Sequence, residues 1–157
     1  MDFLQALHDA GFANALRRGP ALYPFVNAAH ILSIGLIVGA ITTLDLRILG
    51  LFRAFSLSQL APPLWRVAAV GVGCTVLTGF LLFSVQPLAY ARNEPFLAKL
   101  LLAALGITNA LALHIRPCWK RALMDGKIER SLKVQAILSL AIWISAVISG
   151  RWIAFVE

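Results

Sequence analysis

Residues 22–44 read LYPFVNAAHILSIGLIVGAITTL. The run carries no Asp, Glu, Lys or Arg. At about 1.5 Å per residue it is long enough to cross the ~30 Å hydrocarbon core of a bilayer as one helix. Working outward, three more long apolar runs follow at Val67–Val85, Phe96–Ile115 and Val134–Ile153, the last two holding one basic residue each, Lys99 and Arg151. The whole chain is 60% hydrophobic and 13% charged, with a mean hydropathy of +0.83. A soluble domain carries roughly 25% charge. A core built from 157 residues cannot hide so many apolar side chains from water, whereas lipid can. The expected fold is all-α: one integral membrane domain over residues 1–157, an up-down bundle of four spanning helices.

Residues 2–18 are expected to form an amphipathic helix on the membrane surface. Phe3, Leu4, Leu7 and Phe12 gather on one side, with Asp2, Asp9, Asn14 and Arg17 elsewhere. Gly19-Pro20 ends it. The opening Met-Asp-Phe lacks a basic region before an apolar stretch, so no cleavable signal peptide is expected. The second span is expected to start after Ala61-Pro62-Pro63, where a missing N–H has no intrahelical role, and to end at Gln86-Pro87. Asn93-Glu94-Pro95 starts the third and Arg116-Pro117 stops it. Asp125-Gly126 marks a turn in the longest loop.

The net charge of +7 is distributed unevenly. Arg47, Arg53 and Arg66 lie between the first two spans. Arg116, Lys120, Arg121, Lys127, Arg130 and Lys133 lie between the last two. Nine of the 14 basic residues therefore fall on one side. The positive-inside bias makes these loops cytoplasmic and puts both termini outside, with Arg17-Arg18 pulling the other way. The distribution points to a bilayer as partner, not to nucleic acid. Tyr23, Tyr90 and Trp152 fall at the outer boundary, and Trp65 and Trp119 at the inner one, where amphipathic rings sit. Trp143 lies within the fourth span. Cys74 and Cys118 fall at different depths and are expected to be free thiols.

Small residues recur on each span: Gly35, Gly39 and Thr43; Gly71, Thr75 and Gly79; Gly106 and Ala110; Ser145 and Ser149. Small side chains let helices approach closely in lipid, so these are expected to be packing stripes. Polar residues also segregate. Tyr23, Asn27, His30, Ile34, Ile41 and Asp45 share a face of the first span. Lys99, Ala103, Gly106, Ala110 and His114 share one on the third, and Cys74, Thr75 and Thr78 one on the second. These faces are expected to look at one another.

Ionisable groups at membrane depth are costly, so each needs a reason. Two intramembrane histidines in a helix bundle point first to b-type haem. A bis-histidine site fails on depth: His30 is ~12 Å and His114 ~27 Å into parallel spans, about 15 Å apart. His30 is then a candidate single haem or metal ligand, with His8 a weak second. The bland alternative is a neutral His30 bonded to Asn27 or a carbonyl. Lys99 and Arg151, near the outer boundary, either snorkel or bind an anion such as haem propionates or a lipid phosphate above His30, close to Tyr23 and Asn27. On the inner side Asp45, Arg47, Asn109 and His114 form a second polar group. There Asp45 pairs with His114, as an ion pair or a proton relay, while Arg47 snorkels to phosphates. No nucleotide-binding loop, nucleophile elbow or zinc spacing is present, which points away from an enzyme. Met1 and Met124 lie outside the spans, which weakens a copper-conducting role.

Several short motifs occur in a consistent order: Tyr23-Pro24, His30, Gly35, Gly39 and Asp45-Leu46-Arg47 with Gly50; then Thr78-Gly79, Asn93 with Phe96 and Lys99, and Asn109 with His114; finally Gly150-Arg151-Trp152-Ile153-Ala154. Together they resemble an uncharacterised bacterial family of small four-span membrane proteins that carries only a domain-of-unknown-function label. The resemblance covers nearly the whole chain and implies the four-span architecture and a bacterial inner membrane. Relatives of this kind often carry a glutamate three residues before the first histidine, where this chain has Asn27. A weaker likeness to copper-resistance and haem-bundle membrane proteins rests on one histidine and glycines in an early span. Three functions follow as expectations: a haem b-binding or redox-accessory bundle at His30; a small transporter or proton pathway using Asp45, Lys99 and His114; or a structural partner of another membrane subunit or of a second copy.

Overall fold

A computed structural model describes residues 2–155. All its regular elements are helical: α1 (Asp2–Asp9), α2 (Gly11–Arg18), α3 (Leu22–Leu49), α4 (Leu57–Val85), α5 (Pro87–Arg92), α6 (Glu94–Ile115), α7 (Pro117–Asp125) and α8 (Arg130–Trp152), followed by a 3-10 turn at Ile153–Phe155. Four of them, α3, α4, α6 and α8, are long and apolar enough to cross a membrane. Only 11–33% of their most apolar windows is buried inside the protein. Leu32, Val76, Leu101 and Ile137 are among the large side chains that point outward. An apolar exterior around a thinly buried interior suits hydrocarbon as solvent, because α-helices satisfy their own backbone groups there.

The helices run longer than the apolar runs that announce them, and the reasons are local. Helix α4 starts at Leu57, ten residues before the expected opening at Val67. Ser56 caps it: its hydroxyl accepts from Gln59 N–H at 3.3 Å, and the Gln59 side chain accepts from Ser56 N–H at 3.4 Å. This reciprocal box outweighs Pro62 and Pro63, which lie in the second turn and leave the carbonyls of Ser58 and Gln59 without their usual i+4 donors. Helix α3 continues to Leu49 and stops at Gly50, whose φ of 111° is open to glycine without strain. Leu51 N–H then bonds Leu46 O at 2.9 Å, closing the last turn. Asn93 caps α6, its side chain accepting from Phe96 N–H at 3.0 Å.

Residues 2–18 form two helices instead of the expected one, broken at Ala10, whose ψ of 143° is extended. They do not merely lie on a surface. Leu7, Ala13 and Leu16 are buried, and Phe12 meets Phe80 of α4 with ring centroids 6.1 Å apart. Arg17 ties this cap to the bundle: it donates to Val85 O at 3.3 Å and His8 O at 2.7 Å, serving the carbonyl ends of α4 and α1 together. Its guanidinium is thereby committed to helix ends, which accounts for a basic residue on the sparsely charged side. The long basic loop also holds an unexpected helix, α7. Cys118, Trp119 and Ala122 turn inward and join Ile48, Leu57, Leu113 and Leu132 in a core that seals the basic end.

Around the bundle, α3 packs against α4 and α8, and α8 against α6. Gly71 sets the closest approach. A Cβ there would lie 2.8 Å from Ile37 Cγ1 and 3.1 Å from both Ile37 N and Ser33 O of α3. Gly106 does the same for α6 and α8, facing the Trp143 ring. Gly35 and Gly39 run against expectation: both face outward, with nothing within 4 Å of a Cβ. The fourth side of the ring, between α4 and α6, is held mainly by aromatic pairs near its two ends. Phe83 stacks on Phe96 at 5.6 Å at the end capped by α1 and α2, and Trp65 meets His114 at 5.1 Å at the basic end.

Candidate functional site

The polar residues singled out from the sequence separate into two groups along the bundle. At the end away from the basic loops, His30 of α3 sits in a directed chain. Thr78 donates its only hydroxyl proton to Cys74 O at 2.6 Å. Its oxygen is therefore the acceptor for His30 Nδ1–H at 2.9 Å. That assignment leaves the Nε2 lone pair facing Lys99 Nζ of α6 at 3.5 Å. Lys99 reaches it with its stem lying over Gly150 of α8, where a Cβ would come within 3.3 Å of Lys99 Cδ. Gly79 is needed for the same reason: a Cβ there would be 3.1 Å from His30 Cε1. Three helices thus fix one imidazole.

Tyr23, Asn27 and Arg151 do not join this chain. Tyr23 is partly exposed and turns toward Tyr90, which itself packs on Phe96 at 5.3 Å. Asn27 is exposed, and His30 bonds Thr78 in place of the Asn27 or carbonyl partner weighed for a neutral histidine. The Arg151 guanidinium lies 4.9 Å over the Phe155 ring. Of the expected anion-binding pair, Lys99 is therefore engaged with His30 and Arg151 with Phe155.

Haem does not suit these residues. An axial histidine needs a ring lone pair directed at open space for the iron. Here Nδ1 is committed to Thr78 and Nε2 faces an amine. Among the described residues, no group of three or more His, Cys, Asp or Glu is placed to hold a metal ion. His8, the weak second candidate, bonds its neighbour Asp9 at 3.0 Å.

The second group surrounds a cavity of about 270 Å³ toward the basic end of the bundle, lined by all four long helices. The lining is almost wholly apolar, with Asp45 of α3 in its wall. Asp45 is only 4% exposed, and its Oδ2 has no hydrogen-bond partner. Ser139 of α8 faces its carboxyl group. One turn further along α8, Trp143 also lines the cavity. It is 6% exposed, and its indole N–H is likewise unpartnered. Two buried polar atoms of residues in the cavity wall are therefore unpaired, Asp45 Oδ2 and the Trp143 indole nitrogen, the latter on the ring edge that packs against Gly106 of α6, and each is costly to leave unmade.

His114 lines the same cavity without pairing with Asp45. The ion pairs among the described residues are His8–Asp9 and Arg121–Glu129. His114 Nδ1 donates instead to Ala110 O at 2.7 Å, and the ring lies between Trp65 and Trp119, at 5.1 and 5.7 Å. Stacking and a carbonyl within its own helix satisfy this histidine without the carboxylate. Beyond it a second cavity of about 210 Å³ shares Trp65 and His114 and extends toward Ser58 and Leu123. Trp65 and His114 line both spaces.

Asn109 also lines the larger cavity, and its backbone carbonyl accepts from Gln135 Nε2 at 3.0 Å. Gln135 Oε1 in turn accepts from Arg116 at 2.9 Å, linking the end of α6 to α8. Arg47 is held by Phe55 O at 2.7 Å and braces the loop between α3 and α4. Gln135 and Ser139 escaped the sequence reading. They lie four residues apart on one face of α8, a spacing that would have flagged a polar stripe. Trp143 extends that stripe by another turn.

No family model matches the chain, and neither a curated protein nor a solved structure matches it significantly.

Proposed function

We propose that the chain is a small proton-exchanging carrier of the bacterial inner membrane, with Asp45 as its working group. The single observation behind this is a buried carboxyl group, one oxygen of it without a partner, in the wall of an apolar cavity inside a membrane bundle. An ionised carboxylate without a counter-charge in such a place is strongly disfavoured. A proton removes that cost, and so does a cationic solute, so the two compete for one group. Among the described residues the surroundings supply no counter-charge. Helix α4 presents Trp65 and α8 presents Gln135 and Ser139, all uncharged. Helix α6 presents His114, bonded to Ala110 O, and the Arg116 guanidinium is taken by Gln135.

The charge asymmetry of the loops supports an orientation with α7 and the basic loops in the cytoplasm. In that orientation the second cavity would lead from the cytoplasmic interface to His114. The remote resemblance to small four-span bacterial membrane proteins is consistent with the architecture and names no substrate.

Two measurements test the proposal. A lipid-soluble carbodiimide attacks protonated carboxyl groups in apolar surroundings. Mass spectrometry should locate the adduct on Asp45. In liposomes with a trapped pH dye and an imposed gradient, at least one member of a panel of amines, lipophilic cations and weak acids should collapse the gradient through the wild-type protein. Asp45→Asn should behave like empty liposomes. An unmodified Asp45, or equal flux through the variant, overturns the proposal.

A further inference from the structure

We infer that the side of the bundle between α4 and α6 holds one anionic phospholipid of the leaflet at the basic end, with an acyl chain in the apolar groove there and its phosphate beside Arg66 and Lys120. The inference stands apart from the carrier proposal, because it uses the walls of the groove and not the Asp45 carboxyl group.

The groove follows from how the bundle closes. Helix α3 packs on α4 and α8, and α8 on α6, whereas α4 and α6 meet mainly through Phe83–Phe96 and Trp65–His114. Ala68 and Ala69 on α4 and Ala110 on α6 are too small to fill the space between those helices. The result is the cavity of about 270 Å³ and, next to it along α4, the one of about 210 Å³. From Ser58 to Val72 the two follow about 21 Å of α4. One leaflet of the hydrocarbon core is roughly 15 Å deep, so the groove is long enough for an acyl chain.

The chemistry of the walls selects the occupant. Both spaces are almost wholly apolar, so water would enter with few hydrogen-bond partners. Left empty, the groove would forfeit the dispersion contacts of its lining. Trp65 and Leu111 line the larger space and are exposed on the outside of the bundle, which places its opening against the bilayer. Acyl chains are the neighbours there, in great excess over any dissolved solute.

Charge selects the headgroup. Arg66 lies one turn of α4 after Pro62 and one turn before Ala69, both of which line the groove. On α7, Lys120 lies one turn before the lining residue Leu123. Both cations are exposed, and neither joins an ion pair among the described residues. A phosphate without its own ammonium answers them best, because a zwitterionic headgroup carries a cation that competes with them.

Two measurements test the inference. Wild-type protein in mild detergent is incubated with equal amounts of phosphatidylglycerol and phosphatidylcholine of identical chains, and native mass spectrometry reads what stays bound. One phospholipid should be retained, with phosphatidylglycerol favoured about fivefold or more. Arg66→Gln combined with Lys120→Gln should bring that ratio close to one while a lipid is still held. In nanodiscs of lipids brominated at mid-chain, protein keeping Trp143 alone (Trp65→Phe, Trp119→Phe, Trp152→Phe) reports on the groove, because Trp143 lines the larger cavity and is otherwise buried. Its fluorescence should be quenched, and Ala68→Leu should relieve the quenching by filling the groove.

No retained lipid, or equal retention of the two lipids by the wild type, overturns the inference, and neither result requires a variant to fold. Unquenched Trp143 emission, or quenching that Ala68→Leu leaves unchanged, overturns it as well.

Discussion

Gly71→Ala is the sharpest test of how the bundle is held together. In the α3–α4 crossing an added Cβ would lie 2.8 Å from Ile37 Cγ1 and 3.1 Å from two backbone atoms of α3, Ile37 N and Ser33 O. The Ile37 side chain can rotate, but the backbone cannot yield without moving the whole helix. Overpacking of this kind costs about 1–3 kcal/mol. Replacing a helical glycine by alanine otherwise gains about 0.5–1 kcal/mol through the unfolded chain. The net expectation is a loss of about 1–2 kcal/mol, with roughly a tenfold fall in the folded-to-unfolded ratio per 1.4 kcal/mol. Gly35→Ala and Gly39→Ala supply the control on the same pair of helices. Their Cβ atoms would meet nothing within 4 Å, so only the gain remains. Reversible unfolding in mixed micelles of increasing SDS fraction, followed by circular dichroism, measures all three variants on one scale. Gly71→Ala should unfold at lower SDS than wild type, and the two controls at equal or higher SDS. If Gly71→Ala tracks the controls, the close α3–α4 approach is wrong, and with it the placement of the helices around the cavity.

Protein purified from haem-replete cells should show no Soret band, and His30→Ala should leave the visible spectrum unchanged; a Soret band lost in that variant would restore His30 as an iron ligand. Arg17→Ala should loosen the helical cap, because the carbonyls of Val85 and His8 lose a shared charged donor at 3.3 and 2.7 Å. Limited proteolysis should then cut near Ala10 faster than in wild type, with Arg17→Lys intermediate because one ammonium spans the two carbonyls poorly. Burial, with Tyr23 as a further contributor, pushes the Tyr90 phenol above its ordinary value of 10.0. The folded state therefore keeps this proton after the unfolded chain has begun to lose it. The stability Tyr90 contributes is complete below pH 10 and declines as pH rises from there through the folded value. Tyr90→Phe should flatten the alkaline limb of a stability–pH curve, and an unchanged limb would count against the buried phenol.

Hydropathy alone located four crossing helices, because an α-helix in lipid closes its own hydrogen bonds and needs only enough apolar residues in sequence. The cost of charge at depth singled out His30, Asp45, Lys99 and His114 in the same way, before any partner was known. Helix ends were less legible. The Ser56–Gln59 box marks the start of α4 only weakly beside the prolines at 62 and 63, which are themselves a helix-start signal, and α7 lies in a segment whose many charges resemble those of a solvated loop.

Which way each helix faces was decided only in three dimensions. A span that is apolar all round has no amphipathic stripe to mark its inner face, so Gly35 and Gly71 look alike in sequence. One turns outward and the other meets Ile37. The partners were equally hidden. His30 is satisfied by Thr78 and Lys99, 48 and 69 residues away, and Asp45 lies against Ser139 with no cation beside it. Local sequence sets the solvent a helix prefers. The distances between side chains on different helices, and hence the packing that leaves one Asp45 oxygen and the Trp143 indole nitrogen unpaired, exist only once the helices have packed.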